Sequence, residues 1–303
     1  MSACLFVIVA LAWGFTWYAI HLQLGPTPDI VSIFWRFAVA AGAMWLGLAA
    51  TKRIKPAPLR QHVWFAALGL TLFCGNFVCL YAAEQSVPSG LAAVIFSMAS
   101  VFNAANQWCF RGIRPTMRAS LGAAVGILGV VCLFGDQITA PGQTHYLRGI
   151  LWTLTGTYLF SLGNLISGNG SRNGVDLPNA VARGMSWGVV FLTMVILFRG
   201  EHFLPHLDAA YLGGLVYLAL IGSVVAFLAY LSLVSRVGPT QAAYVTVISP
   251  VIALTVSSVL EDYTWTLLAS VGVALISLGN IIMFLPVRQT LAALFNREFL
   301  SRD

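Results

Sequence analysis

Charge is scarce in this chain. Asp, Glu, Lys and Arg together make up 9% of the residues, whereas hydrophobic residues make up 59%. A soluble protein of 303 residues cannot stay in solution with that balance. The shortage of charge therefore excludes the soluble classes and indicates a polytopic membrane protein.

Motifs for catalysis are also missing. The sequence has no G-x-S-x-G motif of the kind that forms a nucleophile elbow. Its best cluster of metal-ligand types is His202, His206 and Asp208. Pro205 interrupts the helix there, and no Glu follows the first His, as H-E-x-x-H requires. We therefore expect no enzyme activity, no catalytic residue, no metal and no cofactor.

Cysteine use and net charge exclude two more classes. The five cysteines are odd in number, lie in or at the ends of apolar runs and show no metal-ligand spacing, so a disulfide framework is not expected. The net charge of +6 comes largely from basic residues in short loops between apolar runs, where membrane topology explains it. The expected partner is the lipid bilayer and not nucleic acid.

Long apolar runs are abundant in the sequence. Crossing a hydrocarbon core of about 30 Å takes roughly 20 helical residues, and a helix satisfies its own backbone hydrogen bonds in lipid. The first run starts at the N-terminus without a basic leader or a small-residue cleavage site, so we interpret it as a span and not a signal peptide. Ten transmembrane helices are predicted, at about 3–21, 29–50, 62–83, 89–111, 115–135, 147–169, 178–200, 209–233, 239–260 and 264–286.

An internal repeat divides these ten spans into two halves. Phe77 corresponds to Phe227 at an offset of 150, and Arg36 corresponds to Arg183 at an offset of 147. The strongest match joins Ala119, Ser120, Gly122, Ala124, Leu128 and Gly129 to Ala269, Ser270, Gly272, Ala274, Leu278 and Gly279. The predicted units are therefore two five-helix repeats, at 1–143 and 144–288, followed by a tail at 289–303.

Basic residues set the predicted orientation. With the N-terminus inside, twelve Lys and Arg residues of the loops and tail fall on the cytoplasmic side, and only Arg148 and Arg199 fall outside. Both termini are therefore predicted to be cytoplasmic. Because each half has an odd number of spans, the second half must be inverted relative to the first. This inverted-repeat topology is typical of alternating-access transporters.

Marks of a known family occur along the chain. The run Glu261-Asp262-Tyr263 precedes the glycine-bearing last span, Trp13-Gly14 lies in the first span, and Ser249-Pro250 lies in the ninth. With the repeat and the span count, these marks make the chain resemble the EamA-type ten-helix exporters of the drug/metabolite transporter superfamily over essentially its whole length. It is most similar to the bacterial branch that exports amino acids, including aromatic ones. The first half departs from the pattern, since Arg111 occupies the position of Glu261.

The resemblance implies a location, a cavity and a packing surface. The location is the bacterial inner membrane. The cavity would be lined by predicted spans 1, 3, 4, 6, 8 and 9, while spans 5 and 10 would pack the two halves, or two copies of the chain, together. A monomer and a homodimer are both left open. Gly122 and Gly126 form a G-x-x-x-G pair in span 5, which favours packing over substrate binding.

Polar and aromatic residues of the spans are the candidates for the cavity. Trp17 shares a helix face with Trp13 and His21, so it belongs either to an interfacial aromatic belt or to a flat apolar cavity wall. Asn76 and Asn164 are amides inside spans, where each needs a partner or a water-lined cavity. The weaker candidates, which also have packing or interfacial explanations, are Ser97, Tyr158, Tyr244 and Ser249.

Ionisable residues leave two questions open. Arg36 and Arg183 lie inside spans, but near enough to the span ends for their guanidinium groups to reach the lipid headgroups. We favour this anchoring role. The alternative is that the pair binds a phosphate or carboxylate. No Asp or Glu lies in the middle of a span, which favours downhill transport. Glu84 and His21 are the alternative proton-coupling groups.

The sequence thus predicts an exporter of small molecules, namely neutral, apolar or aromatic amino acids and related metabolites, by alternating access without proton coupling. Two alternatives remain open. One is a proton-coupled drug/metabolite antiporter, and the other is a carrier of phosphorylated metabolites that uses Arg36 and Arg183.

Overall fold

The computed structural model describes residues 2–139, 144–172, 176–237, 245–261 and 265–284. Within these ranges the chain is helical and contains no β-strand, in agreement with the all-α prediction. The α-helices are α1 (Ser2–His21), α2 (Asp29–Ala50), α3 (Leu59–Leu68), α4 (Asn76–Glu84), α5 (Ser89–Phe96), α6 (Ala99–Arg111), α7 (Met117–Thr139), α8 (Thr144–Arg172), α9 (Leu177–Arg199), α10 (Ala209–Val216), α11 (Ala226–Val237), α12 (Val245–Leu260) and α13 (Leu267–Phe284).

Membrane-spanning character is clear for part of this set. Among the described residues, six helices are long and apolar enough to cross a membrane: Ala3–His21, Asp29–Ala50, Leu59–Glu84, Ser89–Arg111, Leu177–Arg199 and Ala209–Tyr230. Shorter apolar helical stretches cover Met117–Leu133, Ile248–Leu260 and Leu267–Met283. α8 falls outside both groups, because Thr, Ser, Gly and Asn interrupt its apolar residues. The helices are those of a polytopic membrane protein.

Two π-helical segments lie inside long helices. We call them π1 (Gly69–Gly75), which joins α3 to α4, and π2 (Tyr217–Val225), which joins α10 to α11. Their last residues are 150 positions apart, the same offset as in the sequence repeat. Because π-helical turns often occur at functional sites, the residues around these two segments are candidates for a functional site.

Helices that are distant in sequence form much of the core. α2 packs on α9, α1 on α12, and α4 on α8. One buried cluster includes Phe37, Phe73 and Met185, which belong to α2, π1 and α9. A second cluster includes Trp17 of α1 and Leu254 of α12. Apolar side chains are therefore buried between the two predicted halves as well as within them.

Glycines allow α7 and α13 to approach closely. A Cβ atom on Gly122 would lie 2.5 Å from the carbonyl oxygen of Gly279, and one on Gly129 would lie 2.7 Å from that of Gly272. Backbone occupies the space in both cases, so a larger residue cannot fit without a shift of the helices. The contacts pair early residues of α7 with late residues of α13, so the two helices are antiparallel. The packing role predicted for Gly122 is confirmed.

Candidate functional site

A pocket opens between helices of both predicted halves. Its space amounts to about 690 Å³, including the part that is open to solvent. Small-molecule pockets commonly have mostly apolar walls with a few polar groups. The lining residues are Trp13, Thr16, Trp17, Ile20, Arg36, Asn76, Phe77, Leu80, Ala93, Phe96, Phe160, Gly222, Phe227, Ser249 and Pro250.

One face of α1 forms a wall of the pocket. Trp13, Thr16, Trp17 and Ile20 are spaced so that they share a single helix face, which points inward. His21 lies at the end of α1, is exposed and stacks on Tyr18, so it is not part of the pocket lining. The structure thus places Trp17 in the pocket wall, and its 7% exposure is not that of a residue on an interfacial belt.

Aromatic rings continue around the pocket. The ring centroids of Trp17 and Phe96 are 5.4 Å apart, and those of Phe96 and Phe160 are 4.8 Å apart. Trp13 meets Phe227 edge-on at 5.7 Å. Sequence reasoning did not select the three phenylalanines, because a Phe inside an apolar run has the same pattern whether it faces a pocket, the core or lipid.

Arg36 brings a cationic group to these aromatic walls. Its side chain is 2% exposed, and its guanidinium carbon lies 4.3 Å from the centroid of the Phe77 ring. Its Nε donates a hydrogen bond to Ser223 Oγ at 3.3 Å, whereas its Nη1 has no hydrogen-bond partner. The structure therefore buries Arg36 at the pocket, whereas a side chain that anchors a helix at the headgroups would be exposed.

Asn76 is the other polar group with an unsatisfied atom in the pocket lining. It begins α4 directly after π1, and it is 1% exposed. Its Nδ2 donates to the carbonyl oxygen of Leu72 at 3.5 Å, and its Oδ1 has no hydrogen-bond partner. Ser249, which precedes Pro250 in α12, also lines the pocket.

Other predicted cavity residues lie elsewhere. Ser97 donates to the carbonyl oxygen of Val94 and accepts from Asn280 Nδ2 at 3.0 Å, so it joins the α5–α6 turn to α13. Tyr158 is 38% exposed and is not part of the pocket lining.

Asn164 and Tyr244 are the remaining residues predicted for the cavity. Asn164 is half-buried, and α8 contributes Phe160 and not Asn164 to the pocket. Tyr244 lies outside the described residues.

Arg183 is not close to the pocket lining. Its Nη1 donates to Asn179 Oδ1 at 3.2 Å, and its Nη2 donates to the carbonyl oxygen of Lys55. Its guanidinium also packs over the rings of Trp45 and Phe65. Arg36 and Arg183 therefore have different surroundings and do not face one ligand together.

A buried carboxylate lies near the pocket at the end of α4. Glu84 is 7% exposed, and both of its carboxylate oxygens lack hydrogen-bond partners. The charged groups that act on it electrostatically are Glu261, Arg36 and Asp29. Glu261, in contrast, accepts hydrogen bonds from Ser89 at the start of α5. Glu84 is thus a buried acid whose two carboxylate oxygens are both available to bind a proton.

The loop between α2 and α3 is tied to the start of α9. Lys55 Nζ lies 2.9 Å from Asp176 Oδ1, and Asp176 caps α9 by accepting from the backbone N–H of Asn179. Partial burial opposes ionisation of Asp176, but the hydrogen bonds from Asn179 and Lys55 outweigh it and hold the pKa of the carboxyl below its usual 3.8.

No group of three or more His, Cys, Asp and Glu side chains that could hold a metal ion occurs in the described part of the chain. The pocket presents a cation, an amide, hydroxyl groups and aromatic rings, a set that suits binding of an amphipathic solute.

Similarity to known proteins covers nearly the whole chain. The EamA-like transporter family matches residues 1–135 and 147–285. The uncharacterized inner membrane transporter YedA of Escherichia coli K12 is 30% identical over 285 residues, which cover 89% of this chain and 88% of that protein. A probable amino-acid metabolite efflux pump of the same organism is 24% identical over 283 residues, covering 90% of this chain and 91% of its own.

Structural similarity agrees with this result. One solved crystal structure superposes with a TM-score of 0.66, covering 93% of this chain and 96% of its own. Since the two sequences are 17% identical, this likeness shows the fold alone.

Proposed function

Because the chain belongs to the EamA-like transporter family, and is therefore a multi-pass protein of the bacterial inner membrane, we propose that it exports neutral, apolar or aromatic amino acids and related small metabolites. The observation that carries this proposal is the aromatic pocket with the buried guanidinium of Arg36. Aromatic walls suit an apolar side chain, and a guanidinium suits a carboxylate. The relative that is named a probable amino-acid metabolite efflux pump supports the same substrate class.

The proposed mechanism is alternating access. Residues from both predicted halves line the pocket, and Phe77 and Phe227, which correspond in the repeat, are both among them. A site at the interface of two repeats is the arrangement in which one half can rock against the other and expose the site to each side in turn. Export would be downhill, driven by the substrate gradient.

The proposed architecture has ten spans in two inverted units. These are residues 1–143 and 144–288, with both termini and the 289–303 tail in the cytoplasm. The matched positions of π1 and π2 support the repeat.

The glycine contacts support the inversion. The offset of 150 exchanges Gly122 with Gly272 and Gly129 with Gly279. When each glycine is replaced by its repeat equivalent, the contact between Gly122 and Gly279 becomes the contact between Gly272 and Gly129, and the structure contains both. A two-fold axis between the two halves produces such a pair of contacts. Because this glycine surface is occupied within one chain, it supports a monomer over a homodimer that would use the same surface.

Phosphorylated substrates are less well supported. That alternative requires Arg36 and Arg183 to act on one anion, and their guanidinium groups contact different parts of the molecule.

Proton coupling is the second candidate function. The observation in its favour is Glu84, which is buried with both carboxylate oxygens unpartnered. A buried acid of this kind can bind and release a proton as the site changes its exposure. His21 is exposed, so it is less suited to this task.

Counterflow in proteoliposomes tests the proposed export. The purified protein is reconstituted with unlabelled solute inside, and the entry of radiolabelled L-leucine is measured against protein-free liposomes. We expect apolar and aromatic amino acids to drive exchange and sugar phosphates to fail. Exchange driven by sugar phosphates, with no amino acid active, would refute the proposal.

A further inference from the structure

Two buried polar atoms without partners belong to residues that line the same pocket. Among the described residues, buried side-chain atoms without a hydrogen-bond partner occur on Gln23, Arg36, Asn76 and Glu84. Of these four residues, Arg36 and Asn76 line the pocket. A buried polar atom left unsatisfied is costly, and native proteins keep few of them. Where such an atom faces a pocket, a ligand can supply the missing partner.

The two atoms need opposite kinds of hydrogen-bond partner. Arg36 Nη1 is a donor that carries positive charge, so an anionic acceptor suits it best. Asn76 Oδ1 is a neutral acceptor, so it requires a donor. A phosphate or a simple carboxylate would satisfy Arg36 but would offer Asn76 another acceptor. An amine alone would satisfy Asn76 and would be repelled by Arg36.

Arg36 also lacks a counter-ion in contact with it. No carboxylate of the described residues forms an ion pair with Arg36, although Glu84 acts on it from a greater distance. Its contacts include the hydroxyl groups of Ser223 and Tyr81 and the faces of two phenylalanine rings, which stabilise a cation without neutralising it. A buried cation in this state gains more from an arriving carboxylate than an exposed one does.

We propose that the pocket binds α-amino acids as zwitterions, with the carboxylate on Arg36 Nη1, the ammonium group on Asn76 Oδ1 and the side chain against the aromatic walls. This assignment rests on the proposed export of amino acids and adds the requirement for both charged groups on one substrate. Trp17, Phe96 and Phe160 form one stretch of the walls that the side chain would meet.

The first test needs no variant. Binding of L-leucine, leucinamide, isocaproate and isoamylamine to the purified full-length protein is measured by isothermal titration calorimetry. The amide and the amine lack the carboxylate, and isocaproate lacks the ammonium group. We expect each analogue to bind about 10- to 100-fold more weakly than leucine, because each leaves one charged hydrogen bond unmade. Equal affinity for leucine and any of the three analogues would overturn the proposal.

Variants assign each group to its residue. Arg36→Gln should lose the preference for leucine over isoamylamine, whereas Arg36→Lys should retain part of it. Asn76→Leu should lose the preference for leucine over isocaproate and keep the preference over isoamylamine. This crossed pattern does not follow from a general loss of structure, and gel filtration checks that each variant is folded. A uniform loss for all four solutes in both folded variants would contradict the assignment.

Failure of this proposal is distinguishable from failure of the proposed function. If leucine exchanges in counterflow but Arg36→Gln exchanges it with unchanged affinity, the zwitterion assignment is wrong and amino-acid export stands. If no amino acid exchanges, the proposed function fails, and with it this assignment.

Discussion

Gly122 of α7 lies against Gly279 of α13 so closely that a Cβ atom on Gly122 would be 2.5 Å from the Gly279 carbonyl oxygen. That carbonyl belongs to a helix backbone, which cannot rotate away as a side chain can. This contact and its counterpart between Gly129 and Gly272 set the distance between two helices that end the two predicted halves. The structure of this interface therefore depends on residues without side chains.

Adding one methyl group at this contact should separate the helices. We expect Gly122→Ala to destabilise the protein by about 1–3 kcal/mol, the usual range for overpacking. Gly126→Ala is the matched control, because its Cβ would meet the flexible Met98 side chain, with Sδ at 3.0 Å. The measurement is the temperature at which detergent-purified protein loses its monodisperse gel-filtration peak. Equal temperatures for the two variants would contradict the packing role.

Replacement of Trp17 tests whether the aromatic wall contributes to substrate binding. We expect Trp17→Ala to raise the KM for leucine exchange about 5- to 30-fold, because about 1–2 kcal/mol of apolar contact is lost. Tyr158→Ala is the control, since Tyr158 is 38% exposed and outside the pocket lining. A normal KM for Trp17→Ala, or a similar rise in both variants, would remove Trp17 from the site.

Replacement of Glu84 tests whether this residue couples transport to protons. We expect Glu84→Gln to keep leucine counterflow without a gradient and to lose any acceleration of leucine movement by an imposed pH gradient, because the amide cannot carry a proton. The control is His21→Asn, which changes an exposed residue at the end of α1. Acceleration that persists in Glu84→Gln would exclude Glu84 as the coupling group.

Asp176 gives a pH-dependent stability test. Its pKa is lowered in the folded protein, so its charge stabilises the fold above pH 3.8 and this stabilisation is lost as the pH falls through the folded pKa. At pH 7 we expect Asp176→Ala to cost about 1–2 kcal/mol through the lost helix cap. Asp176→Asn should cost about 1 kcal/mol or less, since Asn still caps the helix and an exposed ion pair contributes little.

Thermal unfolding at several pH values provides the readout. The difference between the native protein and Asp176→Asn should shrink as the pH falls below 3.8. A difference that stays constant from neutral to acidic pH would show that the Asp176 charge does not contribute.

Helix positions could be predicted from sequence more readily than helix faces. The apolar run predicted at 29–50 corresponds to Asp29–Ala50, because segment length and hydropathy report on burial in lipid. The glycine pattern also predicted a packing surface correctly, since residues without side chains matter where backbones meet. Neither signal contains information about π-helical turns, so π1 and π2 were not anticipated.

The direction in which the Arg36 side chain faces could not be predicted from the sequence. Its distance from the end of α2 suggested that the side chain could reach the headgroups, but depth along a helix does not tell which way a residue faces. The structure turns it towards Phe77 and Ser223, which are distant in sequence. On α8, the amide inside an apolar span favoured Asn164, whereas the tertiary packing brings Phe160 to the pocket.

Substrate protection of a pocket residue tests the central claim most directly. Ser249→Cys would be introduced into a protein in which the exposed Cys4 and Cys109 are replaced by Ser, and its rate of alkylation in membrane vesicles would be measured with and without L-leucine. We predict that leucine slows alkylation of Ser249→Cys and leaves Tyr158→Cys, on the exposed side of α8, unchanged. An alkylation rate at Ser249→Cys that is the same with saturating leucine as without it would contradict the assignment of this pocket as the substrate site.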